Sequence, residues 1–228
     1  EAPTDATSGL PETDPPATDP PATNPPATEP PATQPPETEP PTPAVKTRRV
    51  ILLSGQSNAV GHSLERFLPD KAGKISDQRY QEMKKGYSNI KMIYSNNPFQ
   101  SVAEGLRQPD SVSEFIPVTF GYGVKPASGT TFGPEVGLAE ALNKTFPGEE
   151  FYIIKCATGG SNLRNQWNPA NSGQAKNLYD EMLSFTDAAL KKLTADGSRA
   201  EIVAFLWMQG EGDSGYIPGS EYIKIFDA

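Results

Sequence analysis

The chain has 228 residues, with 28 acids against 20 bases, a formal charge of −8 and a single cysteine. Eight of the acids fall in residues 1–45, which contain no Lys or Arg, so residues 46–228 are neutral and lack the basic stripe that nucleic acid requires. Cys156 has no second cysteine with which to form an internal disulfide, and the absence of any run of about 18 apolar residues argues against a membrane span.

Residues 15–43 repeat a five-residue unit: PPATD, PPATN, PPATE, PPATQ, PPETE and a final PPTP. Each proline pair fixes φ and removes two backbone donors, which excludes helix and sheet and favours an extended polyproline II spacer. Residues 1–45 are therefore read as a disordered, acidic Pro/Thr-rich linker, with a threonine-glycosylated stalk as the other reading. Such repeats resemble the linkers of secreted, multi-module polysaccharide-degrading enzymes. That resemblance implies an extracellular location and further modules in the same polypeptide. No basic and apolar leader precedes Glu1, which leaves a cleaved signal peptide or an internal start open.

Residues 46–228 are long enough for one domain. Arg48–Leu53 is an apolar, β-branched run that predicts a strand, followed by a turn and a short element at His62–Phe67. Asn89–Tyr94 predicts a second strand, and residues 95–131, rich in Gly, Pro and Ser, predict long loops. Pro134–Phe146 has helical spacing with proline in the first turn. Glu150–Lys155 reads as a strand, Asn177–Ala195 as an amphipathic helix, Glu201–Met208 as a strand, and Ser220–Ala228 as the start of another helix. Strands alternating with helices predict an α/β fold: a three-layer α/β/α sandwich around a parallel sheet, of the flavodoxin-like kind.

Ligands of such sheets lie at the carboxyl ends of the strands. Three predicted strands end there in polar, glycine-bearing turns: Ser54-Gly55-Gln56-Ser57-Asn58, Cys156-Ala157-Thr158-Gly159-Gly160-Ser161-Asn162 and Gln209-Gly210-Glu211-Gly212-Asp213. Together they offer a hydroxyl, a glycine pair with approachable N–H groups, an amide and two carboxylates. These are most of the parts of an acyl-transfer site. The G-x-S-x-G elbow of α/β-hydrolases is absent, because Ala59 stands two residues after Ser57.

GQSN at the first strand end, FGPE at Phe132–Glu135, KCATGGSNL at Lys155–Leu163 and WMQGEGD at Trp207–Asp213 resemble the SGNH-hydrolase superfamily. Within it they are closest to the sialate O-acetylesterase-like domains and the family 6 carbohydrate esterases, which remove acetyl groups from sugars. The resemblance implies Ser57 as nucleophile. It implies an oxyanion hole from the Ser57 N–H, a glycine N–H (Gly160 in preference to Gly159) and the Gln209 amide. Glu211 is implied as a candidate triad acid, with Gln56, Asn58, Gly159 and Glu135 as substrate-binding or supporting residues. No metal or cofactor is implied.

The family's catalytic histidine follows an aspartate by three residues near the C-terminus, and that segment is not found before Ala228. His62 is the only histidine. Placed on a helix opened by Ser57, it would lie about 500° and about 7.5 Å away, pointing from the serine. The expectation is therefore a fragment of a carbohydrate O-acetylesterase that lacks its last strand and its base. Acetylated carbohydrate is the implied partner, with acetylxylan favoured and sialate O-acetyl groups as the alternative. A non-catalytic carbohydrate-binding or adhesion module on the same fold is the reading from another class.

Overall fold

The computed structural model describes residues 45–69, 75–99, 110–124 and 129–228. The repeat-bearing segment expected to be a linker lies outside the described residues. In chain order the elements are β1 (Thr47–Gly55), α1 (Ser57–Val60), β2 (Ser63–Leu64), α2 (Asp77–Lys85), β3 (Tyr87–Asn96), β4 (Asp110–Ser111) and β5 (Ile116–Val118). They continue with β6 (Thr131–Phe132), α3 (Pro134–Thr145), β7 (Phe151–Ala157), α4 (Leu178–Leu193), β8 (Arg199–Met208) and α5 (Gly219–Phe226).

The central sheet has the order β4-β3-β7-β1-β8, with β5 also on β3. β3, β7, β1 and β8 run parallel, while β4 and β5 join β3 antiparallel. β1 thus lies between β7 and β8, and their three carboxyl ends are adjacent. The separate β2–β6 pair is antiparallel.

Alternation along the strands divides the core into two layers. Ile51, Leu53, Ile90, Met92 and Ile153 face one way, onto Met83 of α2 and Val136, Ala139 and Leu142 of α3. Val50, Ile93, Tyr152 and Ile154 face the other way, onto Ala189 and Leu193 of α4. This is the expected α/β/α sandwich. Cys156 is buried beside Leu163, Trp167 and Leu178, and burial pushes its thiol pKa well up, so it behaves as a small apolar side chain.

The ends of α4 follow from its sequence. The Asn177 side chain accepts the Asp180 N–H at 3.0 Å as N-cap. Asp180 and Glu181 lie in the first turn and Lys191 and Lys192 in the last, as the helix dipole favours. β8 contrasts with its sequence. Its apolar run suits a strand covered on both faces, yet Ile202, Val203, Phe205, Leu206 and Met208 are 39–47% exposed. Among the described residues nothing pairs with its outer edge.

Three expectations change. Residues 95–131 are not loop throughout, since β4 and β5 and the first residue of β6 lie in their described parts; residues 100–109 and 125–128 lie outside the description. α2 was not expected. α1 ends at Val60, and Gly61 (φ 102) turns the chain, so His62 does not continue the Ser57 helix. Among the described residues no helix is long and apolar enough to cross a membrane.

α2 is fastened to α3 by a forked ion pair. Arg79 Nε and Nη2 donate to Glu140 Oε1 and Oε2, each at 2.6 Å, and Lys144 adds a bond to Oε1 at 2.7 Å. Hydrogen bonding to Arg79 foremost, against an opposing desolvation effect, holds the buried Glu140 carboxyl down to about 2 from its ordinary 4.5. A carboxyl depressed in the folded state stabilises above its unfolded pKa, and that stability is lost as pH falls through the folded value. Both cations are partly solvated, so Glu140→Gln is expected to cost about 1–2 kcal/mol at pH 7, less than the full shift implies. The difference between variant and parent in urea melts should shrink as pH falls from 5 toward 2. A pH-independent difference would contradict it.

Candidate active site

The first strand end is built by close packing. Gly55 has φ 140, and a Cβ there would run into the Met208 carbonyl at the end of β8. The following Gln56 N–H donates to the same carbonyl at 3.0 Å. Ser57 then opens α1, where its backbone N–H, in the first turn, has no intrahelical acceptor. Its side chain is half-buried, and among the described residues none hydrogen-bonds its hydroxyl.

The β7 turn begins beside this strand end, where the Thr158 N–H donates to the Gly55 carbonyl at 3.0 Å. Asn97, buried and at φ 52, uses its Oδ1 to accept the Gly159 N–H at 2.8 Å. Gly160, at φ 74, is exposed, and its N–H is left without an acceptor among the described residues. Of the glycine pair, Gly160 is thus the one whose N–H is not engaged among the described residues.

Gln209 is placed differently from expectation. Its Nε2 reaches Gln56 Oε1 at 3.0 Å, Asp213 Oδ2 at 2.7 Å and the Ser161 carbonyl at 3.4 Å. Its Oε1 accepts from the Tyr222 hydroxyl at 2.7 Å. Two amide protons facing three internal acceptors leave none for an oxyanion, so in this arrangement Gln209 ties the strand ends together. Gln56 belongs to the same network: its Oε1 also accepts the Gly212 N–H at 2.9 Å.

Asp213, given no role by sequence reasoning, anchors that network. It is buried. Oδ2 takes the Leu163 N–H at 2.6 Å besides the Gln209 amide, and Oδ1 takes the Arg164 N–H at 3.1 Å. Through Asp213 and Gln209 the turns after β1, β7 and β8 are joined. Tyr222 extends the network to α5 and to Trp207, whose indole donates to its hydroxyl at 2.8 Å. The signal in the sequence was an aspartate in a glycine-rich strand-end turn.

Glu211 is exposed, and its Oε1 accepts from Asn58 Nδ2. It therefore touches the residue after the serine and no imidazole. His62 is exposed and lines an open groove of about 630 Å³ that begins at Asn58.

Glu135 lies deeper than a helix-dipole residue needs to. It and Lys155 are fully buried and paired at 2.9 Å. Lys155 Nζ also donates to the Val60 carbonyl at 2.8 Å, at the end of the Ser57 helix, and to the Tyr122 carbonyl at 3.1 Å. Glu135 Oε1 accepts the Gly133 N–H at 2.8 Å. Gly61 and Gly133 pack so closely that a Cβ on Gly61 would strike the Gly133 backbone. The FGPE turn is thus the floor behind α1. Sequence reasoning missed Lys155, although a lysine inside an apolar strand signals a buried partner. Among the described residues no cluster of His, Cys, Asp or Glu is arranged to hold a metal ion.

Fold and site together define an α/β/α domain with a mostly parallel sheet and a serine just after its first strand. Residues 47–222 match the family model for carbohydrate esterases described as sialic acid-specific acetylesterases, and the chain belongs to that family. Among solved structures, NanS is 18% identical, with a TM-score of 0.46 over 81% of this chain and 60% of its own. A carbohydrate acetylesterase from Xanthomonas citri is 21% identical, with a TM-score of 0.43 over 78% and 35%. A protein from Arabidopsis thaliana is 21% identical, with a TM-score of 0.41 over 73% and 58%. The chain therefore spans less than two thirds of each of these structures. No curated protein sequence matches it significantly.

Proposed function

We propose that the chain carries the nucleophile and oxyanion site of a secreted carbohydrate O-acetylesterase acting on acetylated polysaccharide, with acetylxylan favoured. The observation that carries this is the position of Ser57 just after β1, the strand that lies between β7 and β8, with the Gly160 N–H in the turn after β7 left without an acceptor among the described residues. Ser57 Oγ attacks the acetyl carbonyl as its proton passes to a base. The resulting oxyanion is held by the Ser57 and Gly160 N–H groups, and one such donor is typically worth about 10²–10³ in rate. The sugar oxygen leaves with the proton, and water then releases acetate from the acetyl-serine. The Pro/Thr repeat supports a secreted, multi-module context and hence a polymer over sialic acid.

Among the described residues none hydrogen-bonds Ser57 Oγ, so none of them is held in place as its base. The serine and its base act as a unit, and the serine alone keeps little of the advantage. Purified residues 1–228 are expected to cleave an acetylated chromogenic ester at close to the background rate. Robust turnover abolished by Ser57→Ala would place a base within the chain and bring His62 forward. Offered acetylated xylan and O-acetylated sialic acid, the whole gene product should release acetate from the xylan. Release from sialic acid alone would select the sialate reading, and release from neither would favour a non-catalytic sugar-binding module.

A further inference from the structure

Tyr216 is 71% exposed, the most exposed of the large apolar and aromatic side chains described. Folding gives its ring no apolar cover, yet the ring is held in place. The Arg164 guanidinium lies over one of its faces, 4.0 Å from the centroid. Both residues are fastened to Asp213: the Tyr216 N–H donates to the Asp213 carbonyl at 2.9 Å, and the Arg164 N–H donates to Oδ1 at 3.1 Å. The pair therefore rides on the residue that locks Gln209 and the strand ends. It sits in the same two turns that carry Gly160 and Glu211.

Arg164 has no carboxylate within ion-pair range among the described residues. A cation–π contact on an exposed ring contributes only about 0.5–1 kcal/mol, a modest return for ordering the exposed Tyr216 and the half-buried Arg164. What the contact does achieve is preorganisation. One ring face is braced, the other is open to solvent, and the guanidinium edge keeps N–H donors free around it. A flat apolar face beside fixed donors suits a pyranose ring, whose axial C–H groups lie on an aromatic face while its hydroxyls accept from the rim.

We propose that Tyr216 and Arg164 form a platform for a sugar unit next to the acetylated one, so that the site takes an oligosaccharide and not a lone monosaccharide. This rests on the esterase reading above for its position relative to Ser57, but binding to the platform needs no chemistry. Calorimetric titration of residues 1–228 with xylotriose, plain and acetylated, tests it. Both forms should bind. Tyr216→Ala should weaken each at least tenfold, Tyr216→Phe should bind much as the parent does, and Arg164→Ala should weaken binding severalfold. Unchanged melting temperatures would establish that the variants are folded, as the exposure of Tyr216 leads one to expect for its own variants. Tyr216→Ala binding as tightly as the parent would overturn the proposal, as would failure of the parent to bind either sugar. Binding without acetate release by the whole gene product would overturn the esterase reading and leave the platform standing. Acetate release with Tyr216→Ala indistinguishable from the parent in binding would do the reverse.

Discussion

Lys155→Met is expected to be among the most destabilising single substitutions in the domain, lowering stability by about 3–5 kcal/mol, the usual consequence of removing one partner of a buried ion pair. The cause is what remains. Glu135 has no solvent exposure and would be left, without its cation, with only the Gly133 N–H as a donor. The Val60 carbonyl would also lose its donor, while the Tyr122 carbonyl would keep Asn96 Nδ2 at 3.0 Å. In a domain of this size each kcal/mol is worth roughly 2–4 °C, so thermal melts followed by circular dichroism should fall by roughly 6–20 °C. Adding Glu135→Gln replaces the orphaned carboxyl while keeping an acceptor for Gly133. The double variant should therefore regain part of the loss, though not all, because the buried Val60 carbonyl stays without its donor. A single variant melting within 2 °C of the parent would show that the pair is not what holds the floor of the site.

That ion pair also shows how far the sequence could be read. The strands that carry the site were legible because β1, β7 and β8 are long apolar runs ending in glycine turns, and the family motifs mark their ends. α2 was not, because in DQRYQEMKK only Met83 is buried. Its remaining signals were caps: the Ser76 side chain accepts the Arg79 N–H at 3.3 Å, and Gly86 ends the helix. β2, β4, β5 and β6 have two or three residues each, too few for alternation to register. In the site, residue types were legible and directions were not. A glutamine in a strand-end turn can face substrate or protein. Only the fold shows that Gln56, Ser161 and Asp213 surround the Gln209 amide. Likewise the preference for Gly160 in the glycine pair acquires a physical cause only through Asn97, sixty-two residues from Gly159.

Asp213→Ala should loosen the same strand ends from the other side. It removes the acceptor of the Leu163 and Arg164 N–H groups and one of the three acceptors around the Gln209 amide. An unsatisfied buried donor costs about 1–3 kcal/mol, and water entering from the exposed Ser214–Tyr216 turn relieves part of this, so a net loss of about 2–4 kcal/mol is expected. Asp213→Asn is the sharper variant. Its one oxygen can serve the Leu163 and Gln209 side, but its NH₂ then meets the Arg164 N–H, donor against donor, and the loss should be smaller though clear. The two tryptophans report the change directly. Trp167 and Trp207 pack edge to face at 5.2 Å, and the Trp167 indole bonds the hydroxyl of Ser161, whose carbonyl is an acceptor of Gln209. Tryptophan emission should shift in the folded variants, and the Leu163 and Arg164 amides should exchange faster while Ile153 and Ile154 in β7 remain protected. Parent-like exchange at Leu163 in Asp213→Ala would mean that the turn after β7 holds itself, and that Asp213 is a passenger in the network rather than its anchor.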